Sequence, residues 1–527
     1  MTVTVIVRKD TYRDSVILMR LSNTIVELDG VLQAGVVMAT PTNKKFLRDL
    51  NLLNENAENA GPNDLVIALE TTNEKIMTKS LSEVDRLLTT RVLKDDSKIV
   101  PKTLDSALRE IPDANLVVIS VPGRFAKREA LKSLKKGLNV FLFSSNVSLE
   151  DELELKQIAV EKGLLIMGPD CGTAIVNNVV LGFGNVVNQG NIGLVAAAGT
   201  GLQQVSTLIH NEGYGISQAI GTGGNDLSKT VGGVMMIEGI KRLEHDDETK
   251  VIVLISKLPD QEICEKVLKI VRHSNKPVVV NFIGGDFKNI KGQNYIVSTT
   301  LEDAATAACA LVQGKQSNIR LFTASRDEIL STTQSEWSRM SSNQKFVRGL
   351  YTGGTLSYEA LVLLTPLLGD MFSNSPLNHH LKLEDSAKSK NHTCVDMGAE
   401  EFVIGRLHPM IDYTLRNQRI VKEGNDPETA VILLDVVLGY GSHDNPANEL
   451  ISPIQELQAN TKRNGRYLPV IASIVGTDLD YQDLDKQKKL LEDLGVIIMP
   501  TNAQAARLAA LIATRGTIQD KLFEEVF

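Results

Sequence analysis

The sequence predicts an α/β protein with several parallel sheets, and three observations support this fold class. Short apolar runs rich in Val, Ile and Leu alternate with amphipathic stretches of helical period. Hydrophobic residues make up 43% of the chain and aromatic residues only 4%, so the core must be aliphatic. The 39 glycines suit the tight turns between buried parallel strands and their covering helices.

Length, charge and cysteine content restrict the function classes. A chain of 527 residues has room for roughly three to four domains of about 150 residues. The net charge of −8 disfavours nucleic-acid binding, which needs clustered Lys and Arg. No apolar run approaches the roughly 20 residues that cross a bilayer, and the N-terminus lacks a signal-peptide pattern. The four cysteines show no metal-like spacing. We therefore expect a cytoplasmic protein without membrane, nucleic-acid or metal partners.

The predicted elements follow one another along the whole chain. Short β-branched runs predict strands at 2–8, 36–38, 65–69, 116–121, 140–143, 193–196, 251–255, 278–282, 431–434, 470–474 and 496–499. Amphipathic stretches predict helices at 127–138 and 149–162. The polar stretch 313–345, which contains the sole tryptophan Trp337, is expected to connect two lobes and to include helix. Ligands of such sheets bind beyond the carboxyl ends of the strands.

A glycine-rich loop between a strand and a helix occurs twice. The first copy contains Gly199, Thr200 and Gly201, and the second contains Thr352, Gly353, Gly354 and Thr355. At each loop, free backbone N–H groups and the positive helix end can hold an anion. The alternative is that the glycines only permit tight packing of a helix on a sheet. Two copies suggest two helix ends that face a single phosphate or carboxylate.

A separate glycine-rich turn, distinct from the two loops, contains four candidate residues, which are Gly223, Gly224, Asn225 and Asp226. Its backbone N–H groups can approach an acyl or carbamoyl carbonyl and stabilise the oxyanion that develops there. The alternative is a turn with no ligand.

Arg406 and His408 stand close together after the segment 396–398. A guanidinium beside an imidazole can clamp a small carboxylate and move a proton. The alternative is an ordinary pair at the start of a helix.

Several motifs resemble the α and β subunits of succinyl-CoA synthetase. The segment 167–172 is similar to a turn that closes the α subunit's CoA-binding domain, 198–202 to its anion loop, and 220–226 to a glycine turn. Gly353–Gly354 and the loop with Asp396 and Gly398 resemble glycine loops of the β subunit, which implies substrate contacts for these residues. Arg124, in the stretch 121–125, resembles a position near CoA.

The chain also resembles the FdrA family at 12–19, 38–44 and 476–480. Together the resemblances imply Rossmann-like, flavodoxin-like and succinyl-CoA synthetase-like domains. The ranges are an FdrA-type N-terminal region (1–100), a CoA-binding-like domain (101–190), an α-like ligase domain (191–315), a linker (316–345) and a β-like C-terminal domain (346–516). The family implies a subunit of oxamate carbamoyltransferase in allantoin degradation, which converts oxalurate and phosphate into oxamate and carbamoyl phosphate. Phosphate or carbamoyl phosphate is then a substrate, and other subunits are partners.

The sequence departs from the synthetase pattern at two positions. The stretch 283–289, where the synthetase carries its phosphorylated histidine, contains no histidine. A synthetase glutamate is replaced by Gln204, whose amide can donate a hydrogen bond to an anion. Both changes favour direct anion binding, with Gln204, Arg406 and His408 as catalytic candidates.

CoA binding is less well supported by the residues. The strand 65–69, taken as the first strand of the CoA-binding domain, leads into no glycine-rich turn. No ATP-grasp domain precedes the β-like segment, so an ATP-dependent reaction needs a partner protein. Two alternatives stay open: an acyl-CoA synthetase that acts with an ATP-binding subunit, and a non-catalytic scaffold of the same fold.

Overall fold

Four sheets organise the chain, and they fall into two compact units. The computed structural model describes residues 2–11, 13, 15–26, 28–89, 101–285, 295–404 and 406–524. The first unit comprises residues 1–110 and 404–406, and the second comprises residues 111–403 and 407–527. No helix of the described ranges is long and apolar enough to cross a bilayer.

The first unit contains an antiparallel sheet of three strands in the order β1-β3-β2. Its elements are β1 (Thr2–Arg8), α1 (Ser15–Val26), β2 (Val31–Met38), α2 (Pro41–Asp49), α3 (Glu55–Glu58), β3 (Leu65–Thr71), α4 (Glu74–Thr89) and α5 (Leu104–Glu110). The prediction that 65–69 begins a parallel CoA-binding domain is therefore wrong. Alternate residues of β3 are buried in two different apolar clusters. A strand that is covered on both faces is a continuous apolar run whichever way its neighbours point.

The second unit begins with a small parallel sheet in the order β4-β5-β6. Its elements are β4 (Leu116–Ile119), α6 (Gly123–Lys135), β5 (Asn139–Leu142), α7 (Leu149–Glu161) and β6 (Ile166–Met167). The two predicted helices, at 127–138 and 149–162, correspond to α6 and α7. The first parallel strand of the chain is thus β4, which is followed by the turn that leads to Gly123.

A seven-stranded sheet follows, in the order β13-β12-β11-β9-β10-β7-β8. Its elements are β7 (Thr173–Val176), β8 (Val179–Gly182), β9 (Gln189–Ala196), α8 (Gly199–Asn211), β10 (Ile216–Gly221), α9 (Val234–His245), β11 (Val251–Lys257), α10 (Gln261–Val271), β12 (Val278–Ile283), β13 (Tyr295–Val297) and α11 (Leu301–Val312). Strands β9 to β13 are parallel, and β7 and β8 add an antiparallel edge. The chain runs outward from β9 in both directions, so the strand order reverses between β9 and β11. Open α/β sheets bind ligands at such a point.

The last sheet has six parallel strands in the order β15-β16-β14-β17-β18-β19. The elements from the connector onward are α12 (Arg326–Trp337), β14 (Phe346–Tyr351), α13 (Gly354–Leu368), β15 (Met371–Phe372), β16 (His392–Asp396), α14 (Glu400–Val403), α15 (Thr414–Asn425), β17 (Thr429–Val437), α16 (Pro446–Arg463), β18 (Val470–Val475), α17 (Leu484–Asp493), β19 (Ile497–Met499), α18 (Asn502–Ala513) and α19 (Gln519–Glu524). The predicted connector contains α12, which starts with a capping box at Ser325 and Glu328.

Buried polar contacts join the two large sheets of the second unit. Glu359 of α13 accepts hydrogen bonds from the backbone N–H of Leu301 and from the side chain of Asn502. Asp480, in the segment 476–480, accepts from the side chain of Asn185 and from the backbone of Val186. These contacts, together with a shared aliphatic cluster, fix α8 against α13.

Candidate functional site

The first glycine-rich loop forms the N-terminus of α8. Its N-cap residue, Ala198, has no side chain that can satisfy the free N–H groups of the first turn. Among the residues that the structure describes, none accepts a hydrogen bond from the backbone N–H of Gly199, Thr200 or Gly201. The helix therefore presents unpaired donors and its positive end at the carboxyl edge of β9.

The second glycine-rich loop is held in shape by a buried carboxylate. Asp435 of β17 accepts hydrogen bonds from the backbone N–H groups of Thr352 and Gly353 at 2.8 and 2.7 Å. It also accepts from the Thr352 hydroxyl and pairs with Arg416 at 2.9 Å. Burial raises the pKa of Asp435, and Arg416 opposes that rise. Thr352, which was predicted as an anion ligand, instead orients the loop, because its hydroxyl and N–H are both used by Asp435.

The structure brings the two loops together. The backbone N–H of Thr355, in the first turn of α13, donates to the hydroxyl oxygen of Thr200 at 3.2 Å. A Cβ added at Gly201 would lie 3.0 Å from Thr355 Cγ2, and one added at Gly353 would lie 3.0 Å from Thr200 Cγ2. The glycines thus permit the close approach of two helix ends, so that two positive poles lie side by side.

Asp396 lies at the same place, at the end of β16. Its Oδ1 accepts a hydrogen bond from the backbone N–H of Gly398 at 3.0 Å. A Cβ added at Gly354 would lie 2.6 Å from Asp396 Oδ2, so this carboxylate borders the N-terminus of α13 directly. Burial raises the pKa of Asp396, and Lys257 opposes that rise. Asp396 is therefore an acidic group in contact with the loop pair.

The turn predicted to bind a carbonyl divides into two parts. Gly223 has a φ of +86° and packs its α-carbon against the backbone of Pro169, and Gly224 and Asn225 are exposed. Asp226 is fully buried, and the prediction that it contacts substrate is wrong. Its two carboxylate oxygens accept hydrogen bonds from the Lys156 ammonium and from two backbone N–H groups at the start of α9. Three donors of the protein therefore occupy this buried carboxylate.

Arg406 and His408 have different surroundings. Arg406 belongs to the first unit, where its guanidinium carbon lies 5.8 Å from the ring centroid of Phe46. His408 belongs to the second unit and packs against Phe183. Its Nδ1 accepts from the backbone N–H of Met410, so Nε2 carries the proton of the neutral ring.

Burial lowers the pKa of His408 to about 4, so its imidazole is neutral at physiological pH. A Cβ added at Gly398 would lie 2.8 Å from His408 Nε2, which places the ring beside the Asp396 loop. A neutral imidazole can donate one hydrogen bond there, but it is not the readily titrating proton shuttle that the sequence suggested.

Gln204 and Cys171 are both buried. Gln204 lies on α8, and no described residue donates a hydrogen bond to its Oε1. Burial raises the pKa of Cys171 to about 12, so the thiol stays protonated at neutral pH and acts as a packing residue of the turn.

Arg124 lies at an open cavity of about 620 Å³ at the N-terminus of α6. Five basic side chains line this cavity: Arg124, Lys127, Arg128, Lys132 and Lys135. The helix begins at Gly123 with no side-chain cap. A Cβ at Gly123 would lie 2.3 Å from the carbonyl oxygen of Asn146, so only glycine permits this close approach. We call this space the basic cavity.

Sequence reasoning missed Asp435, Arg416 and Lys257. Asp435 directly follows the apolar run 431–434, and Lys257 closely follows 251–255. An ionisable residue at or inside the carboxyl end of a buried strand was the signal that could have identified them. Residues 286–289, which belong to the stretch where the synthetase carries its phosphorylated histidine, lie outside the described residues.

Three family models match the chain. A model described as "AllF, heavy metal-associated domain" matches residues 1–101, a "CoA binding domain" matches 187–284, and a "CoA-ligase" matches 350–512. The matched CoA-binding stretch lies C-terminal to the range 101–190 that the sequence suggested for CoA. Residues 1–101 contain neither cysteine nor histidine, so they do not fit a site for a soft heavy metal.

Two curated relatives and one solved structure illustrate the similarity. The uncharacterized protein YahF of Escherichia coli is 43% identical over 516 residues, which cover 98% of this chain and 99% of that protein. A succinate–CoA ligase (ADP-forming) α subunit of Archaeoglobus fulgidus is 29% identical over 34% of this chain, and the chain spans 61% of that subunit. The crystal structure of PH0766 from Pyrococcus horikoshii has a TM-score of 0.32 at 18% identity, covering 78% of this chain and 87% of that one.

Proposed function

Because the chain belongs to the family of FdrA- and AllF-like proteins, which are related to acyl-CoA synthetases, we propose that it transfers an acyl group between coenzyme A and phosphate. The phosphate binds between the N-termini of α8 and α13. The hydrogen bond from the Thr355 N–H to Thr200 carries this proposal, because it joins two helix ends at one point.

One helix end contributes about 0.3–1 kcal/mol to anion binding at an exposed site, which is too little to hold phosphate. Two ends, with three unpaired N–H groups on α8, supply several donors at once. In the proposed reaction, a phosphate oxygen attacks the carbonyl carbon of a thioester. The carbon–sulfur bond breaks, the thiolate leaves and takes up a proton, and an acyl phosphate remains. The absence of histidine from 283–289 agrees with direct use of phosphate.

We place the phosphates of coenzyme A in the basic cavity, which lies outside the stretch 187–284 that matches the CoA-binding model. Lys127 is neutralised by Asp151 and Glu154, and Lys132 pairs with Glu129. Arg124 and Lys135 form no ion pair within the described residues. These two side chains, with the uncapped N-terminus of α6, would bind the phosphate groups. When bound there, coenzyme A supplies a thiol that can carry an acyl group.

The test compares two glycine variants for binding of inorganic phosphate and for phosphate-dependent release of free thiol from acyl-CoA. A Cβ at Gly199 meets no atom closer than Thr173 Oγ1 at 3.6 Å, and a Cβ at Gly61 likewise first meets Asp64 Oδ2 at 3.6 Å. We expect Gly199→Val to abolish both signals while the protein stays folded, and Gly61→Val to retain them. Equal activity of the two variants would remove the loop pair from the mechanism.

A second candidate function is carbamoyl transfer from oxalurate to phosphate, acting with further subunits. The missing histidine agrees with this reaction as well as with the first, because neither needs a phosphorylated residue. A phosphate oxygen attacks the carbamoyl carbon of oxalurate, the carbon–nitrogen bond to oxamate breaks, and the leaving nitrogen gains a proton. Formation of carbamoyl phosphate from oxalurate, measured for the chain alone and with its partner subunits, decides between the two candidates. Thiol release from acyl-CoA without carbamoyl phosphate would support the first candidate.

A further inference from the structure

Lys257 is the last residue of β11, at the point where the strand order of the seven-stranded sheet reverses. Strand β11 lies directly beside β9, with Ile255 paired to Ala196. Strand β9 leads into Gly199 and the N-terminus of α8, so the lysine and the first loop leave the same edge of the sheet on neighbouring strands. This edge is where α/β sheets bind ligands.

The Lys257 side chain extends toward α13. Its ammonium nitrogen lies 5.5 Å from the ring centroid of Tyr358, which is in the second turn of that helix. The residue is half-buried. It therefore extends from the sheet that carries α8 to α13, the helix that begins at the second loop.

Among the described residues, no carboxylate lies within ion-pair distance of the Lys257 ammonium, and none accepts a hydrogen bond from it. Two acids are within electrostatic range, because Lys257 lowers the pKa of both Asp170 and Asp396 against the effect of burial. A half-buried lysine without a protein partner keeps its three N–H donors available to a ligand.

We propose that Lys257 binds the phosphate group directly and supplies the positive charge that the two helix ends lack. This inference rests on the proposed function, and it identifies the ligand at the N-termini of α8 and α13 as a phosphate or acyl phosphate. The ammonium also offsets repulsion between Asp396 and an incoming anion. The chain thus binds phosphate with a fixed cation rather than storing it on a histidine.

The first test measures inorganic phosphate binding by calorimetry for the full chain and for Lys257→Met, Lys257→Arg and Lys229→Met. Lys229 is exposed and pairs with Glu262, so its variant controls for the loss of one positive charge. We expect Lys257→Met to weaken phosphate binding at least tenfold, Lys257→Arg to retain part of the affinity, and Lys229→Met to leave it unchanged. Unchanged binding by Lys257→Met would overturn the inference while the proposed function stands. A wild-type chain that binds no phosphate would overturn both.

A second measurement needs no variant and stays valid if Lys257→Met fails to fold. The wild-type chain is acetylated with acetic anhydride with and without saturating phosphate, and the modified lysines are quantified by mass spectrometry. We expect phosphate to slow modification of Lys257 several-fold and to leave Lys229 unaffected. Equal modification of Lys257 in both conditions, with phosphate bound, would contradict a direct contact.

Discussion

Replacing Gly354 with alanine tests the close contact between α13 and Asp396. The new Cβ would lie 2.6 Å from Asp396 Oδ2 and 3.3 Å from its Cγ, closer than real Cβ contacts. The carboxylate cannot move freely, because Oδ1 accepts the Gly398 N–H and the Asp396 backbone is fixed by two hydrogen bonds to Asn374. Overpacking of this kind costs about 1–3 kcal/mol. The gain in helix propensity from glycine to alanine, about 1 kcal/mol, opposes only part of that cost.

The assay is urea unfolding followed by fluorescence of Trp337, the sole tryptophan, which lies on α12 in the second unit. We expect Gly354→Ala to lower the free energy of unfolding by about 1–2 kcal/mol, within that range. Gly199→Ala is the matched control, since a Cβ at Gly199 makes only an ordinary contact at 3.6 Å. Its unfolding free energy should stay within about 0.5 kcal/mol of wild type or rise.

A double-mutant cycle isolates the contact. In an Asp396→Ala background the clashing oxygen is gone, so Gly354→Ala should lose its destabilising effect, and the effects of the two substitutions should not be additive. Additive effects of the two substitutions, or wild-type stability of Gly354→Ala, would refute the argument that this carboxylate limits the loop.

Two further predictions concern buried charges. Burial raises the pKa of Glu359 to about 7 from 4.5, so this group's contribution to stability is full below 4.5 and falls as the pH rises through 7, by about 3 kcal/mol in all. In urea unfolding, the free energy of unfolding of Glu359→Gln should therefore fall less between pH 5 and pH 8 than that of wild type. An equal pH dependence of the two proteins would contradict the assignment. Lys156 is fully buried between Glu152 and Asp226. In thermal unfolding, Lys156→Met should therefore lower the free energy of unfolding by about 3–5 kcal/mol, whereas Lys229→Met, in an exposed pair, should lower it by only about 0–1 kcal/mol. Similar losses in the two variants would refute the buried triad.

The alternation of apolar runs and amphipathic stretches was sufficient to predict the α/β class and several strands of the large sheets, such as β11, β12 and β17, but it missed others, such as β10 and β16. Period and composition are local properties, so they survive without knowledge of the fold. The direction of β3 was not predictable in this way. Its neighbours are set by contacts with residues distant in the chain, and burial on both faces erases the pattern that distinguishes an antiparallel strand.

The candidate site was predictable in part for the same reason. Glycines at strand–helix junctions identified the two loops, because a local turn requires them. The role of Asp435 depends on a hydrogen bond to Thr352, 83 positions away. For Asp226, the sequence predicted a contact that the structure does not allow. Its glycine-rich turn suggests a ligand, but Lys156, 70 positions earlier, occupies its carboxylate.

The sequence by itself determined the α/β class, the two glycine-rich loops and the family resemblance, since each depends on residues adjacent in the chain. Only the tertiary structure decided that Thr200 and Thr355 meet, that Asp435 fixes the second loop and that Lys257 extends to Tyr358 of α13. These are contacts between strand ends and helix ends of different sheets. Their formation depends on how the sheets pack, which no local pattern of residues encodes.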